Sequence, residues 1–177
     1  WNLIEKAILC DVAVERQVEI TGPDAYKFTQ LLTPRDLSKL AVGQCKYIVL
    51  TNKDGGILDD LMVANYGTHV RLVVNAACVE QDMAWISGHL TDMSITQLQR
   101  ALIALQGPSA GAAFAALVPA SADMSFMDAC SLHWNGVEIE ATRSGYTGED
   151  GFEISCSDAV AEDLVRAHDC SIAVSRI

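Results

Sequence analysis

Apolar and polar positions along the chain change period several times, and each change marks an element. Residues 47–50 and 57–66 are rich in β-branched, aromatic and apolar side chains, and Asn52-Lys53-Asp54-Gly55-Gly56 between them consists largely of residues that reverse a chain cheaply. This predicts a hairpin of two buried strands. Upstream, residues 2–9 read as a short helix leading into Cys10-Asp11-Val12, and residues 17–20 as a strand stopped by Thr21-Gly22-Pro23. Pro23 opens a helix in which Ala25, Phe28 and Leu32 recur at helical spacing. Downstream, residues 70–74 give the third strand of a meander. A helix with the face Val79, Met83, Ile86 and Leu90 follows, and Asn75 stands where its N-cap belongs.

A second unit is expected from about Thr91. Residues 94–98 and 101–105 read as strands, Gln106-Gly107-Pro108 leads into an Ala-rich helix ending near Val118, and Asn135-Gly136 joins strands at 131–134 and 137–142 through a type I′ turn. A strand at 152–155 and a helix opening at Ser157-Asp158, with Val160, Ala161, Leu164 and Val165 on one face, complete the pattern; residues 168–177 carry no usable period. The order strand, x-Gly-Pro, helix occurs twice, with Phe28 and Phe114 at matching distances from Gly22-Pro23 and Gly107-Pro108. The expected fold class is therefore α+β: antiparallel sheets with helices packed on them, in two related units spanning 1–90 and 91–177.

The chain has 177 residues, and half of them are hydrophobic, enough to build a real core. A net charge of −11 argues against nucleic acid or an anionic membrane as partner, because no basic stripe exists to release counterions. No apolar run reaches the length of a membrane span and the N-terminus lacks a signal-peptide layout, so an intracellular address is expected. The six cysteines form no C-x-x-C pair and the four histidines no i, i+4 pairing, which predicts reduced core thiols, structural histidines and no metal.

Against this background the adjacent acids Asp59 and Asp60 stand out, since they lie inside an apolar run. Neighbouring strand residues point to opposite faces, so Asp59 falls in line with Ile57, Leu61 and Val63, and Asp60 with Leu58, Met62 and Ala64. Desolvating a carboxylate costs several kcal/mol or raises its pKa, so a core strand holding two has a use for at least one. The alternative is structural: an acidic pair at a sheet edge, or one that caps a turn through backbone N–H groups. Around Ser144-Gly145-Tyr146-Thr147-Gly148-Glu149-Asp150-Gly151, three glycines and an acidic pair imply a shaped loop. No Walker loop, dinucleotide fingerprint, nucleophile elbow or zincin motif is present.

Four runs together resemble one family: Gly55-Gly56-Ile57-Leu58-Asp59-Asp60-Leu61; Leu72-Val73-Val74-Asn75-Ala76; Ala104-Leu105-Gln106-Gly107-Pro108; and Ser144-Gly145-Tyr146-Thr147-Gly148-Glu149-Asp150-Gly151-Phe152-Glu153. In this order they resemble the aminomethyltransferase of the glycine cleavage system, the T-protein, over residues 10–167. The resemblance implies a share in that family's three-domain cloverleaf, with tetrahydrofolate as co-substrate. It also implies transfer of a one-carbon (methylene) unit from the aminomethyl-lipoyl arm of the H-protein, with ammonia released and methylenetetrahydrofolate formed. By motif, Asp60 corresponds to the catalytic carboxylate beside the reactive nitrogens, and Glu153 to the acid that reads the pterin ring. Tyr47 and Tyr146 correspond to aromatic residues of the folate pocket, and Asn75 to a folate contact, its N-cap role remaining the alternative. The implied address is cytoplasmic, or the mitochondrial matrix in a eukaryote.

Three segments instead resemble folate-dependent dimethylsulfoniopropionate demethylases: Asp11-Val12-Ala13-Val14-Glu15-Arg16-Gln17, Leu32-Thr33-Pro34-Arg35-Asp36-Leu37-Ser38 and Gly43-Gln44-Cys45-Lys46-Tyr47. They imply, as an alternative, demethylation of a small methylated substrate such as dimethylsulfoniopropionate; a non-catalytic folate-binding module built on the same fold is a further alternative. Relative to the family's pattern, the chain is expected to begin inside the first domain and to lack the later arginine-bearing segment and the C-terminal barrel.

Overall fold

The computed structural model describes residues 2–89, 92–167 and 173–176. Two compact units result, one formed by Trp1–Ala13 with Arg100–Ile177 and the other by Val14–Gln99. The chain enters through α1 (Asn2–Glu5) and β1 (Ile8–Asp11). The helix expected over 2–9 is thus a single turn, and its second half is strand. Ile8 to Asp11 pair antiparallel with residues 103–106, so a distant partner overrides the local helical pattern.

The contiguous unit holds β2 (Arg16–Thr21), α2 (Ala25–Leu32), β3 (Gln44–Thr51), β4 (Ile57–Asn65), β5 (Val70–Val74), α3 (Val79–Ser87) and β6 (Ser94–Gln97). Its five strands lie in the order β3-β4-β5-β2-β6, all antiparallel. At the β3–β4 turn the Asn52 side-chain carbonyl accepts the backbone N–H groups of Asp54 and Gly56, at 3.0 and 2.8 Å. Val18, Ile20, Ile48, Leu50, Leu61, Val63, Leu72 and Val74 come from alternate strand positions, and they bury against Phe28 and Leu32 of α2 and Ile86 of α3. Helices therefore cover one face of this sheet. Of the predicted α3 face, Val79 and Met83 pack against this core, Ile86 is buried, and Leu90 lies outside the described residues.

The split unit continues with β7 (Ala101–Gln106), α4 (Ala110–Leu117), a 3₁₀ turn at Pro119–Asp123, β8 (Ala129–Trp134), β9 (Val137–Thr142), β10 (Gly151–Cys156), α5 (Asp158–Ala167) and β11 (Ala173–Arg176). The strand order is β11-β1-β7-β10-β9-β8. Its pairs are antiparallel except β1 with β11, a parallel pair in the stretch where the sequence shows no period. Asn135 and Gly136 have φ of 50° and 81°, as the type I′ turn between β8 and β9 requires. Leu9, Ile103, Leu105, Ile139, Ala141, Phe152 and Ile154 form the sheet side of the core, under Phe114 of α4 and Leu164 of α5.

The expected boundary at residue 91 is therefore displaced. β1 belongs with the later half because it pairs with β7, and β6 belongs with the earlier half because it pairs with β2. The internal repeat has a structural counterpart. Gly22 and Gly107 share φ near 131°, each accepts the first helical N–H through its carbonyl, and Phe28 and Phe114 fill equivalent core positions.

Candidate functional site

In β4 the two acids part as the pleat dictates. Asp59 points to the helix-covered face and is only 7% exposed, whereas Asp60 is exposed on the other face, next to β3 residues Tyr47 and Val49. Apolar enclosure of both acids was expected; it holds for Asp59 alone, because α2 and α3 of this unit cover only one side of the sheet.

Asn75, directly after β5, joins the two. Its Nδ2 donates to Asp59 Oδ1 at 2.9 Å and to the backbone carbonyl of Asp60 at 2.7 Å, and its backbone N–H reaches Asp59 Oδ2 at 3.4 Å. Asn75 is not the helix N-cap: that position falls to Cys78, without a side-chain cap bond, and the Asn75 carbonyl instead accepts the Cys78 N–H in the preceding turn. Burial by itself would push the Asp59 carboxyl up, but hydrogen bonds from Asn75, from Asp82 and from backbone N–H groups outweigh it and hold the group below its ordinary value.

Asp82 of α3 completes the buried side. It is fully buried, and neither of its carboxyl oxygens meets an N–H donor at hydrogen-bond distance. Burial and the neighbouring Asp59 carboxylate push it up to about 7, while the nearby Gln81 amide, which donates to the Leu58 carbonyl, opposes this weakly. The sequence contained a signal for it: Asp82 lies three residues after Val79 and four before Ile86, on the apolar stripe of the helix.

On the exposed side, the Asp60 carboxylate acting on the Tyr47 hydroxyl, more than any desolvation, raises the tyrosine above its ordinary value. A shallow cavity of about 310 Å³ beside it is lined by Pro34, Arg35, Tyr47, Ile48 and Val49. A larger groove in the split unit, about 640 Å³, borders β1, β7 and α5 and touches none of the candidate residues.

In the split unit Glu153 sits mid-strand in β10, opposite Ala104 of β7 and Thr142 of β9, on the face turned away from Phe152 and Ile154 of the core, and is 7% exposed. The loop before β10 is built on Gln106. Its Nε2 donates to the carbonyls of Ser144 and Phe152 at 3.0 and 3.3 Å, and its Oε1 accepts the Thr147 hydroxyl at 3.3 Å. Glycine is needed at 145 and 151 because a Cβ at either would lie within 2.3 Å of that Oε1. Tyr146 is exposed in this loop, and Glu149 is exposed with it.

Asp150, which the sequence alone leaves as a turn residue, holds the loop base through a two-pronged pair with Arg143, Nε to Oδ1 at 3.0 Å and a second nitrogen to Oδ2 at 2.6 Å. Arg143 also donates to the Met124 carbonyl and lies over the Phe152 ring at 5.3 Å. Replacing Arg143 by Ala removes all of these contacts while leaving Asp150 half-buried. The expected loss is about 1–3 kcal/mol in urea denaturation, with Asp150→Asn losing less; equal and negligible losses would mean that the pair does not anchor the loop.

Two α+β units, each an antiparallel-rich sheet with helices on one face and acids on the other, define a class that comparison with known proteins makes specific. The model of the GCVT N-terminal domain family matches residues 1–167, and the chain belongs to this family. It is 39% identical over 166 residues to the aminomethyltransferase of Geobacillus sp. (strain WCH70), covering 88% of this chain and 45% of that protein. Against the protein named mitochondrial aminomethyltransferase of Dictyostelium discoideum it is 37% identical over 159 residues, covering 83% and 40%. The crystal structure of glycine cleavage system aminomethyltransferase T from Bartonella henselae superimposes with a TM-score of 0.82 at 33% identity, over 95% of this chain and 47% of that one. The chain thus spans about half the length of the relatives it matches. A heterotetrameric sarcosine oxidase from Corynebacterium sp. U-96 shares the fold, with a TM-score of 0.61 at 19% identity.

Proposed function

We propose that the chain binds tetrahydrofolate and serves the transfer of a one-carbon unit to it from the aminomethyl-lipoyl arm of an H-protein, with release of ammonia. The observation that carries this reading is the Asp60–Tyr47 pair on the helix-free face of the β3-β4-β5 sheet, in a chain that belongs to the GCVT N-terminal domain family. Tetrahydrofolate, when bound, supplies the nitrogens that accept the one-carbon unit. Asp60 accepts a hydrogen bond from a folate amine or relays its proton, and Tyr47 orients the carboxylate. Asn75 fixes the strand carbonyl behind Asp60 and acts from below, rather than on the ligand, with the contacts it makes here.

Glu153 supplies a carboxylate with two parallel acceptor oxygens, suited to adjacent N–H donors of a pterin ring, and its burial strengthens such bonds. Tyr146 offers an exposed ring and hydroxyl for the folate. The test is calorimetric titration of the chain with tetrahydrofolate, repeated with Glu153→Ala. Saturable binding weakened roughly tenfold or more is expected, since a charge-assisted bidentate contact contributes about 1.5–3 kcal/mol. Binding unaffected by the substitution would remove the pterin from Glu153. Absence of any binding would overturn the claim that this chain holds the folate.

A further inference from the structure

A chain with a net charge of −11 can hold an anionic group only where a local cation opposes its overall field. The side chains of Arg16, Arg71, Arg100, Arg143 and Arg166 each donate to a carbonyl or a carboxylate. Arg35 differs: among the described residues its guanidinium has no hydrogen bond and no ion pair. Solvation alone accounts for an exposed arginine, so its position decides whether it has a use.

That position is a built one. Arg35 lines the cavity of about 310 Å³ together with Pro34, Tyr47, Ile48 and Val49. Its backbone is held on both sides, the N–H donating to the Thr33 hydroxyl at 3.2 Å and the carbonyl accepting Gln30 Nε2 at 2.8 Å. Gln30 Oε1 in turn accepts the N–H of Leu37 at 2.6 Å, and Leu37 is fully buried. The segment carrying Arg35 is thus tied to α2 and to the core. Lys46, the other cation bonded to this segment, is engaged with the Asp36 carbonyl at 3.3 Å.

The cavity also adjoins Asp60, because Val49 is its cross-strand partner and Tyr47 stands on the same face of β3. A carboxylate beside Val49 and a guanidinium on the cavity wall present opposite charges to one ligand. Tetrahydrofolate has the complementary layout, with amine nitrogens in its ring system at one end and glutamyl carboxylates at the other.

We propose that Arg35 is the anchor for the glutamyl carboxylates of the bound folate, which makes the Tyr47 cavity the subsite for the anionic end of that ligand. This rests on the folate reading of the same site. The guanidinium offers two parallel N–H groups to a carboxylate, and the exposed Tyr47 ring supplies a surface for the aromatic ring that precedes the glutamate. Arg35 is a binding residue in this account and takes no part in the transfer step. Being exposed, it makes a contact that salt screens.

The experiment titrates tetrahydrofolate, and tetrahydropteroate, which lacks the glutamate, into wild type, Arg35→Gln and Arg35→Lys by calorimetry. Wild type is expected to bind tetrahydrofolate roughly three- to thirtyfold more tightly than tetrahydropteroate, between the effect of an exposed ion pair and that of a charge-assisted hydrogen bond. Arg35→Gln should lower the affinity for tetrahydrofolate to that for tetrahydropteroate and leave the latter unchanged, since the Arg35 side chain bonds nothing else in the described chain. Arg35→Lys should keep part of the preference, as a charge without the two-pronged geometry. Added salt should erode the preference in wild type and have no such effect in Arg35→Gln. Equal affinity of wild type for the two ligands, a preference that survives in Arg35→Gln, or an equal loss for both ligands in that variant overturns the proposal and leaves folate binding in place. Binding of neither ligand by wild type overturns the folate reading, and this subsite with it.

Discussion

Gly107→Ala is expected to be the most destabilising single methyl addition in the split unit, costing about 4 kcal/mol or more. Two independent causes act at this position. The backbone sits at φ 132°, a conformation that costs an L-residue of order 1–3 kcal/mol. A Cβ there would also lie 2.6 Å from the Lys6 carbonyl oxygen and 2.7 Å from Ala7 Cα, both backbone atoms that cannot swing aside. That Lys6 carbonyl accepts the Ser109 N–H at the start of α4, and Ile8, two residues on, pairs with Gln106. Relieving the clash therefore pulls β1 away from β7 and opens the core around Leu9 and Leu105.

The related position in the contiguous unit provides the control. Gly22 has nearly the same φ, 131°, but its Cβ would meet first the Met93 side chain at 3.1 Å, which can move. Gly22→Ala should cost only the conformational part, roughly 1–3 kcal/mol. Urea denaturation of the two variants separates strain from steric contact, and equal losses would show that the close approach of residues 6 and 7 is not the cause.

Under the proposed one-carbon transfer, Asp60→Asn is expected to lower turnover by roughly 10²- to 10⁴-fold in an assay with tetrahydrofolate and aminomethylated H-protein, the range that loss of a positioned acid–base group produces. The side chain is exposed, so stability should change by no more than about 0.5 kcal/mol, and folate affinity far less than turnover. The Asn75 bond to the backbone carbonyl at residue 60 survives the substitution. Asp59→Asn is expected to act in the opposite way, altering stability and its pH dependence through Asn75 and Asp82 with a smaller effect on turnover. If Asp59→Asn proved the more damaging to turnover, the roles assigned to the two faces of β4 would be reversed. Equal effects of Asp60→Asn and Glu153→Ala on turnover and on folate affinity would contradict the division between a reacting and a binding carboxylate.

Local patterns determined most elements of this chain. The Asn52–Gly56 and Asn135-Gly136 turns, the apolar runs of β4 and β5, and the Ala25, Phe28, Leu32 stripe of α2 rest on propensities and periods that span fewer than ten residues, and each appears where the pattern placed it. The two-residue period of strand side chains sent Asp59 and Asp60 to opposite faces. Four short motifs in a fixed order were also sufficient to identify the family.

Only the tertiary structure decided which strands share a sheet, and so where the units divide. β1 lies far from its partner β7 in sequence, and no local period records that pairing. It likewise decided which of the two adjacent acids is buried, because α2 and α3 cover one face of the sheet and leave Asp60 exposed on the other. It made Asn75, which the sequence left between a folate contact and a helix cap, a bridge between Asp59 and the Asp60 carbonyl, and turned Asp150 from a turn residue into the anchor of a loop. Asp82 shows the division most plainly. Its place on the helical stripe was legible, but its pairing with Asp59 depends on how α3 packs on the sheet, since the charge a buried acid carries is set by neighbours that folding alone brings within reach.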